Sequence, residues 1–107
     1  MKSFSFRYHA LNRFKERFPK KVDEFDGDVY KAVAVELYKR SKEDRTYLNN
    51  TPFMIYLGER YGYDRKYSFY VSDDCVFVCI EKAIVTVLDK KGSHVHDPRP
   101  RFRSSRR

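Results

Sequence analysis

The sequence predicts an α+β fold: two N-terminal helices packed on a four-stranded antiparallel meander. Three observations carry this expectation. Apolar residues recur at helical spacing in the first part of the chain. From Phe53 onward the pattern changes to aromatic and β-branched runs separated by short polar turns. With 107 residues and 41% hydrophobic side chains, the chain has material for one core and not for two. The expected organisation is a single domain over residues 1–90 and a basic, flexible tail over 91–107.

The first helix is expected over residues 7–18, where Leu11, Phe14 and Phe18 make a narrow apolar face, and Pro19 ends it by disfavouring helix in the residue before it. The second is expected over residues 28–42, started by Asp26 or Asp28 as a cap, with Val29, Tyr30, Val33 and Leu37 on one face. Asn49-Asn50-Thr51-Pro52 is a turn signal. Strands are then expected at residues 53–57, 66–71, 75–80 and 83–88, with a further short strand at 45–48 before them. The links between these runs shorten to Ser72-Asp73-Asp74 and then Glu81-Lys82, which predicts antiparallel hairpins. The last two strands are apolar on both faces and should be covered on both sides.

Cys75 and Cys79 lie in one strand run. Four residues of strand span about 13 Å, whereas a disulfide needs its Cα atoms within about 7 Å. The two are therefore core hydrophobes. No CxxC pair is present, so neither a metal nor a cofactor is expected. No apolar run approaches the roughly 18 residues of a membrane span, and residues 1–7 lack the apolar stretch of a signal peptide. A soluble, cytoplasmic protein with no membrane partner is the expectation.

The net charge of +8 is uneven: residues 1–21 carry +6, residues 22–89 carry −4 and residues 90–107 carry +6. Both ends are basic around a slightly acidic body, and together they would form a surface that attracts polyanions, nucleic acid first.

The segment His9-Ala10-Leu11-Asn12-Arg13-Phe14-Lys15-Glu16-Arg17 is the most informative. At about 100° per residue, with His9 at the origin, Arg13 falls near 40° and Arg17 near 80°, while Leu11, Phe14 and Phe18 lie at about 140–200°. One imidazole and two guanidiniums thus line the flank of the helix beside its apolar face. Histidine moves protons near neutral pH, and arginine grips phosphate oxygens through paired N–H groups. This is the chemistry that a phosphodiester needs, although Arg-rich solvated helix faces are common without it.

The pattern His9-Ala10-x-x-Arg13-x-x-x-Arg17 on an N-terminal helix resembles the HA-x-x-R-x-x-x-R signature of small phage and toxin-module ribonucleases, in the group with barnase-, EndoU-, colicin- and RelE-like folds. That group places N-terminal helices on a four-stranded antiparallel sheet. Its smaller members often carry a hydroxyl residue on a late strand, as in Ile84-Val85-Thr86-Val87-Leu88. The resemblance implies metal-independent endoribonuclease activity, with attack of a 2′-hydroxyl on the adjacent phosphorus and a cyclic phosphate as product. Carried over residue by residue, it makes His9 the general base or acid. Arg13 and Arg17 become the stabilisers of charge on the phosphorane oxygens, and Thr86 a hydrogen-bond donor to phosphate. No second histidine lies in the folded body, so the second proton-transfer group is open between a tyrosine and His94. An acidic inhibitor protein would be a natural partner.

Arg60-Tyr61-Gly62-Tyr63-Asp64-Arg65-Lys66-Tyr67 interleaves cations with aromatics, as single-stranded RNA binding requires: bases stack on Tyr61, Tyr63 and Tyr67 while Arg60, Arg65 and Lys66 follow phosphates. The plain alternative is a hairpin loop whose tyrosines cover the sheet. Arg99, Arg101 and Arg103 form an electrostatic arm in the tail, where His94 and His96 make only a weak metal pattern. The rival to a ribonuclease is a non-catalytic module that grips RNA, DNA or a host nucleic-acid enzyme through the same basic surface.

Overall fold

The computed structural model describes residues 3–90. The expected flexible tail, with Arg99, Arg101, Arg103, His94 and His96, lies outside the described residues. The chain forms β1 (Ser5–Phe6), α1 (Tyr8–Arg17), α2 (Pro19–Asp23), α3 (Val29–Val35) and β2 (Lys42–Glu43), then α4 (Thr51–Tyr61), β3 (Tyr67–Val71), β4 (Cys75–Ile80) and β5 (Ala83–Asp89). A π-helical turn, Glu36–Arg40, continues α3, and a 3₁₀ turn, Arg45–Asn49, precedes α4. The fold is α+β as expected, with four α-helices and a five-stranded mixed sheet rather than two helices and a four-stranded antiparallel one.

Residues 53–57 are helix, not strand. Asn50 caps α4 by accepting from the Phe53 N–H, and Pro52 sits in the first turn, where its missing N–H costs nothing. Phe53, Leu57 and Tyr61 follow at intervals of four, so one helical stripe packs on the sheet despite the β-prone composition of Phe53-Met54-Ile55-Tyr56. Residues 45–48 are likewise helical, within the 3₁₀ turn, with the Asp44 carboxylate accepting from the Thr46 N–H. Pro19 ends α1 as expected and also begins α2, occupying its first turn. Asp28, not Asp26, caps α3 through the Lys31 N–H. Val33 and Leu37 are buried, but Tyr30 is 61% exposed and does not belong to the core face.

The sheet order is β1-β5-β4-β3-β2. The meander of β3, β4 and β5 is antiparallel, while β1 pairs parallel with β5 through only two residues, Ser5 with Ala83 and Phe6 with Ile84. Alternating β4 residues feed two cores. Cys75, Phe77 and Cys79 face α1, α2 and α3, where Phe14 stacks on Phe77 at 6.4 Å. Val76, Val78 and Ile80 face α4, with Phe53 and Leu57. Every β4 residue is buried, as its two apolar faces require, and both cysteines are free. Burial pushes the Cys75 thiol far above its ordinary range, so it is an inert core group.

One buried charge ties three elements together. Glu36 is 2% exposed and accepts from the Ser72 hydroxyl at 2.6 Å, and it pairs with Arg40 at 3.1 Å and Lys21 at 3.4 Å. Lys21 also reaches Asp74 at 3.0 Å, and Ser72 Oγ accepts the Cys75 N–H. The turn between β3 and β4 is thereby fastened to α2 and the π-helical turn.

Candidate nucleic-acid cleft at the edge of strand β5

Because β1 ends at Phe6, it leaves the outer edge of β5 open beyond Ile84. The flank of α1 covers that edge. Arg17 donates from Nη1 to the Val87 carbonyl at 2.8 Å, which anchors the guanidinium beside the strand by one of its five N–H groups. Arg13 is oriented by its Glu16 partner at 2.9 Å. On the opposite sheet face, α4 ends beside the same edge and brings Arg60 and Tyr61.

The result is a cleft of about 160 Å³. From α1 it takes His9, Arg13 and Arg17, from α4 Tyr56, Arg60 and Tyr61, and from β5 Thr86 and Leu88. A shallower hollow adjoins it, bordered by Arg7 and Val85 and sharing His9, Arg60 and Tyr61. Four arginines and no carboxylate line the two together. Arg13 keeps its Glu16 partner, but the lining as a whole carries an excess of positive charge, which an anion in the cleft offsets.

His9 is exposed at the junction of the two hollows. Its pKa is lowered, first by partial loss of water and then by Arg13, Arg17 and Arg60, with Glu16 opposing weakly. The imidazole is therefore neutral at pH 7 and able to accept a proton.

Thr86 reaches the cleft through a β-bulge. Val78 pairs with Thr86, but Cys79 pairs with Ile84, so Val85 is an extra residue on β5. Ile84 lies in the α1 core and Val85 in the α4 core. Strict alternation would return Thr86 to the α1 side. The bulge instead sets it opposite Val78, on the α4 side, where its hydroxyl hydrogen-bonds that of Tyr61. Thr86 is buried, and it meets the cleft through that phenol.

The remaining residues of the aromatic-basic segment divide. Arg60 and Tyr61 belong to the cleft, and Arg60 lies over the Tyr56 ring at 4.9 Å. Tyr67 is not a stacking platform: it is buried, and its hydroxyl donates to the Gly62 carbonyl at 2.7 Å and also contacts that of Leu57. Tyr63 lies over Gly58 and donates to Glu59 at 2.6 Å, while Arg65 donates to the Tyr61 carbonyl at 3.1 Å. These contacts stabilise the end of α4. Lys66 is exposed and does not line the cleft. Tyr56 and Arg7 were missed by the sequence reading. Tyr56 carried a signal, four residues before Arg60, that becomes visible only once the segment is taken as helix. Among the described residues, no three His, Cys, Asp or Glu side chains gather to hold a metal ion, and no helix is long and apolar enough to cross a membrane. No protein-family model, curated protein or solved structure matches the chain.

Proposed function

We propose that the chain is a metal-independent endoribonuclease. The observation that carries this reading is the convergence of His9, Arg13, Arg17, Thr86 and Tyr61, from two helices and a strand, at one cleft. A neutral imidazole beside several guanidiniums suits transesterification. His9 removes the proton of a ribose 2′-hydroxyl, the oxygen attacks phosphorus, and Arg13 and Arg17 meet the charge that grows on the non-bridging oxygens. The resemblance of the His9–Arg17 motif to phage and toxin-module ribonucleases points the same way.

The test is cleavage of bulk RNA with chelator present, reading the 2′,3′-cyclic phosphate. His9→Ala should abolish cleavage while circular dichroism stays unchanged, because His9 lies off the core face. Full activity in that variant overturns the assignment of His9. Activity that needs a divalent ion overturns the metal-free mechanism. RNA binding without any cleavage by the unaltered protein would favour a non-catalytic binding module.

A further inference from the structure

Transesterification moves two protons, and His9 accounts for one. We propose that Tyr61 is the general acid that protonates the leaving 5′-oxygen, held for that role by Thr86; this rests on the ribonuclease reading above. His9 comes from α1 on one face of the sheet and Tyr61 from α4 on the other, so a phosphodiester at the β5 edge sits between them. That is the arrangement in-line displacement demands, since the attacking oxygen enters and the leaving oxygen departs on opposite sides of phosphorus. Tyr61 borders both hollows together with His9, whereas Tyr56 borders only one.

The environment of the phenol fits an acid. Burial, its largest influence, raises its pKa, so the proton is held at neutral pH. The Thr86 hydroxyl acts in the other direction by hydrogen-bonding the phenolate oxygen, and the positive charges of Arg60 and Arg13 act the same way through space; together they stabilise the anion left when the proton departs. Thr86 is thus a positioning residue.

The step balances. The 2′-hydroxyl proton passes to His9, and the bond from O2′ to phosphorus forms. The bond from phosphorus to O5′ breaks with its electron pair on oxygen, and the Tyr61 proton passes to that oxygen. The products are a 2′,3′-cyclic phosphate and a free 5′-hydroxyl. Proton transfer from imidazolium to phenolate, through water, restores both groups.

The test maps the site cut by the unaltered full chain on an RNA oligonucleotide, then replaces the bridging 5′-oxygen at that site with sulfur. A thiolate leaves without a proton. In single-turnover assays, Tyr61→Phe should slow the oxygen substrate by about 10²–10⁴-fold and leave the sulfur substrate within a few-fold of the unaltered protein. His9→Ala should lose both. Thr86→Val should slow only the oxygen substrate, and less than Tyr61→Phe does. Equal loss of both substrates in Tyr61→Phe would make Tyr61 a binding or structural residue, and no loss on either would remove it from catalysis; each overturns the inference. Failure of the unaltered chain to cleave any RNA would instead overturn the ribonuclease reading itself.

Discussion

Glu36→Ala is the substitution whose cost the structure sets most directly. The carboxylate is 2% exposed, and its removal strips Ser72 of the acceptor it holds at 2.6 Å and separates two cations from their buried partner. Breaking a buried pair by deleting one partner costs about 3–5 kcal/mol. The lower end applies here. Lys21 and Arg40 keep Asp74 and Glu24 as partners, and at 20% and 43% side-chain exposure they recover water. The expected loss is therefore about 3 kcal/mol, a large share of the roughly 5–15 kcal/mol that holds a domain together. Glu36→Gln keeps the shape and an acceptor for Ser72, and should lose about 1–2 kcal/mol. Urea unfolding with an unchanged m-value is the assay. A loss below about 1 kcal/mol for Glu36→Ala would show that the group contributes no more than a surface ion pair, and the reasoning from burial would fail.

The pH dependence of kcat/KM, which reports the groups of the free protein, follows from the two proton-transfer groups. The value should rise with pH on a limb centred below the ordinary histidine value, because partial loss of water, Arg13, Arg17 and Arg60 all disfavour imidazolium, against Glu16 alone. It should be level at pH 7 and fall only above the ordinary tyrosine value, because burial favours the protonated phenol over the opposing Thr86 hydrogen bond and the charges of Arg60 and Arg13. A limb centred above pH 6.5 would contradict His9 as the base. Arg13→Ala should lower kcat by about 10²-fold with a smaller change in KM, as for a donor that meets charge mainly in the transition state. Its stability should change by less than about 1 kcal/mol, since the pair with Glu16 is a surface one; a pure KM effect would favour a binding module.

The sequence alone determined the last three strands of the meander, β3 to β5, and the flank of α1. The runs Cys75–Ile80 and 83–88 are β-branched and apolar on both faces, and two short turns leave antiparallel pairing as the available arrangement. Likewise the helical period sets His9, Arg13 and Arg17 on one line beside Leu11 and Phe14, whatever the helix packs against. Both are local consequences of residue order. Tertiary structure decided the rest. Residues 53–57 have strand composition, and the Asn50 cap, Pro52 and a sheet face waiting for Phe53 and Leu57 made them helix. That change moved Arg60 and Tyr61 from an expected hairpin loop to the end of α4, facing His9. The final decision was the bulge at Val85: one unpaired residue turned Thr86 from one face of the sheet to the other, against Tyr61. No period in the sequence marks it, because strand alternation is a local rule and a bulge depends on which residues β4 sets opposite.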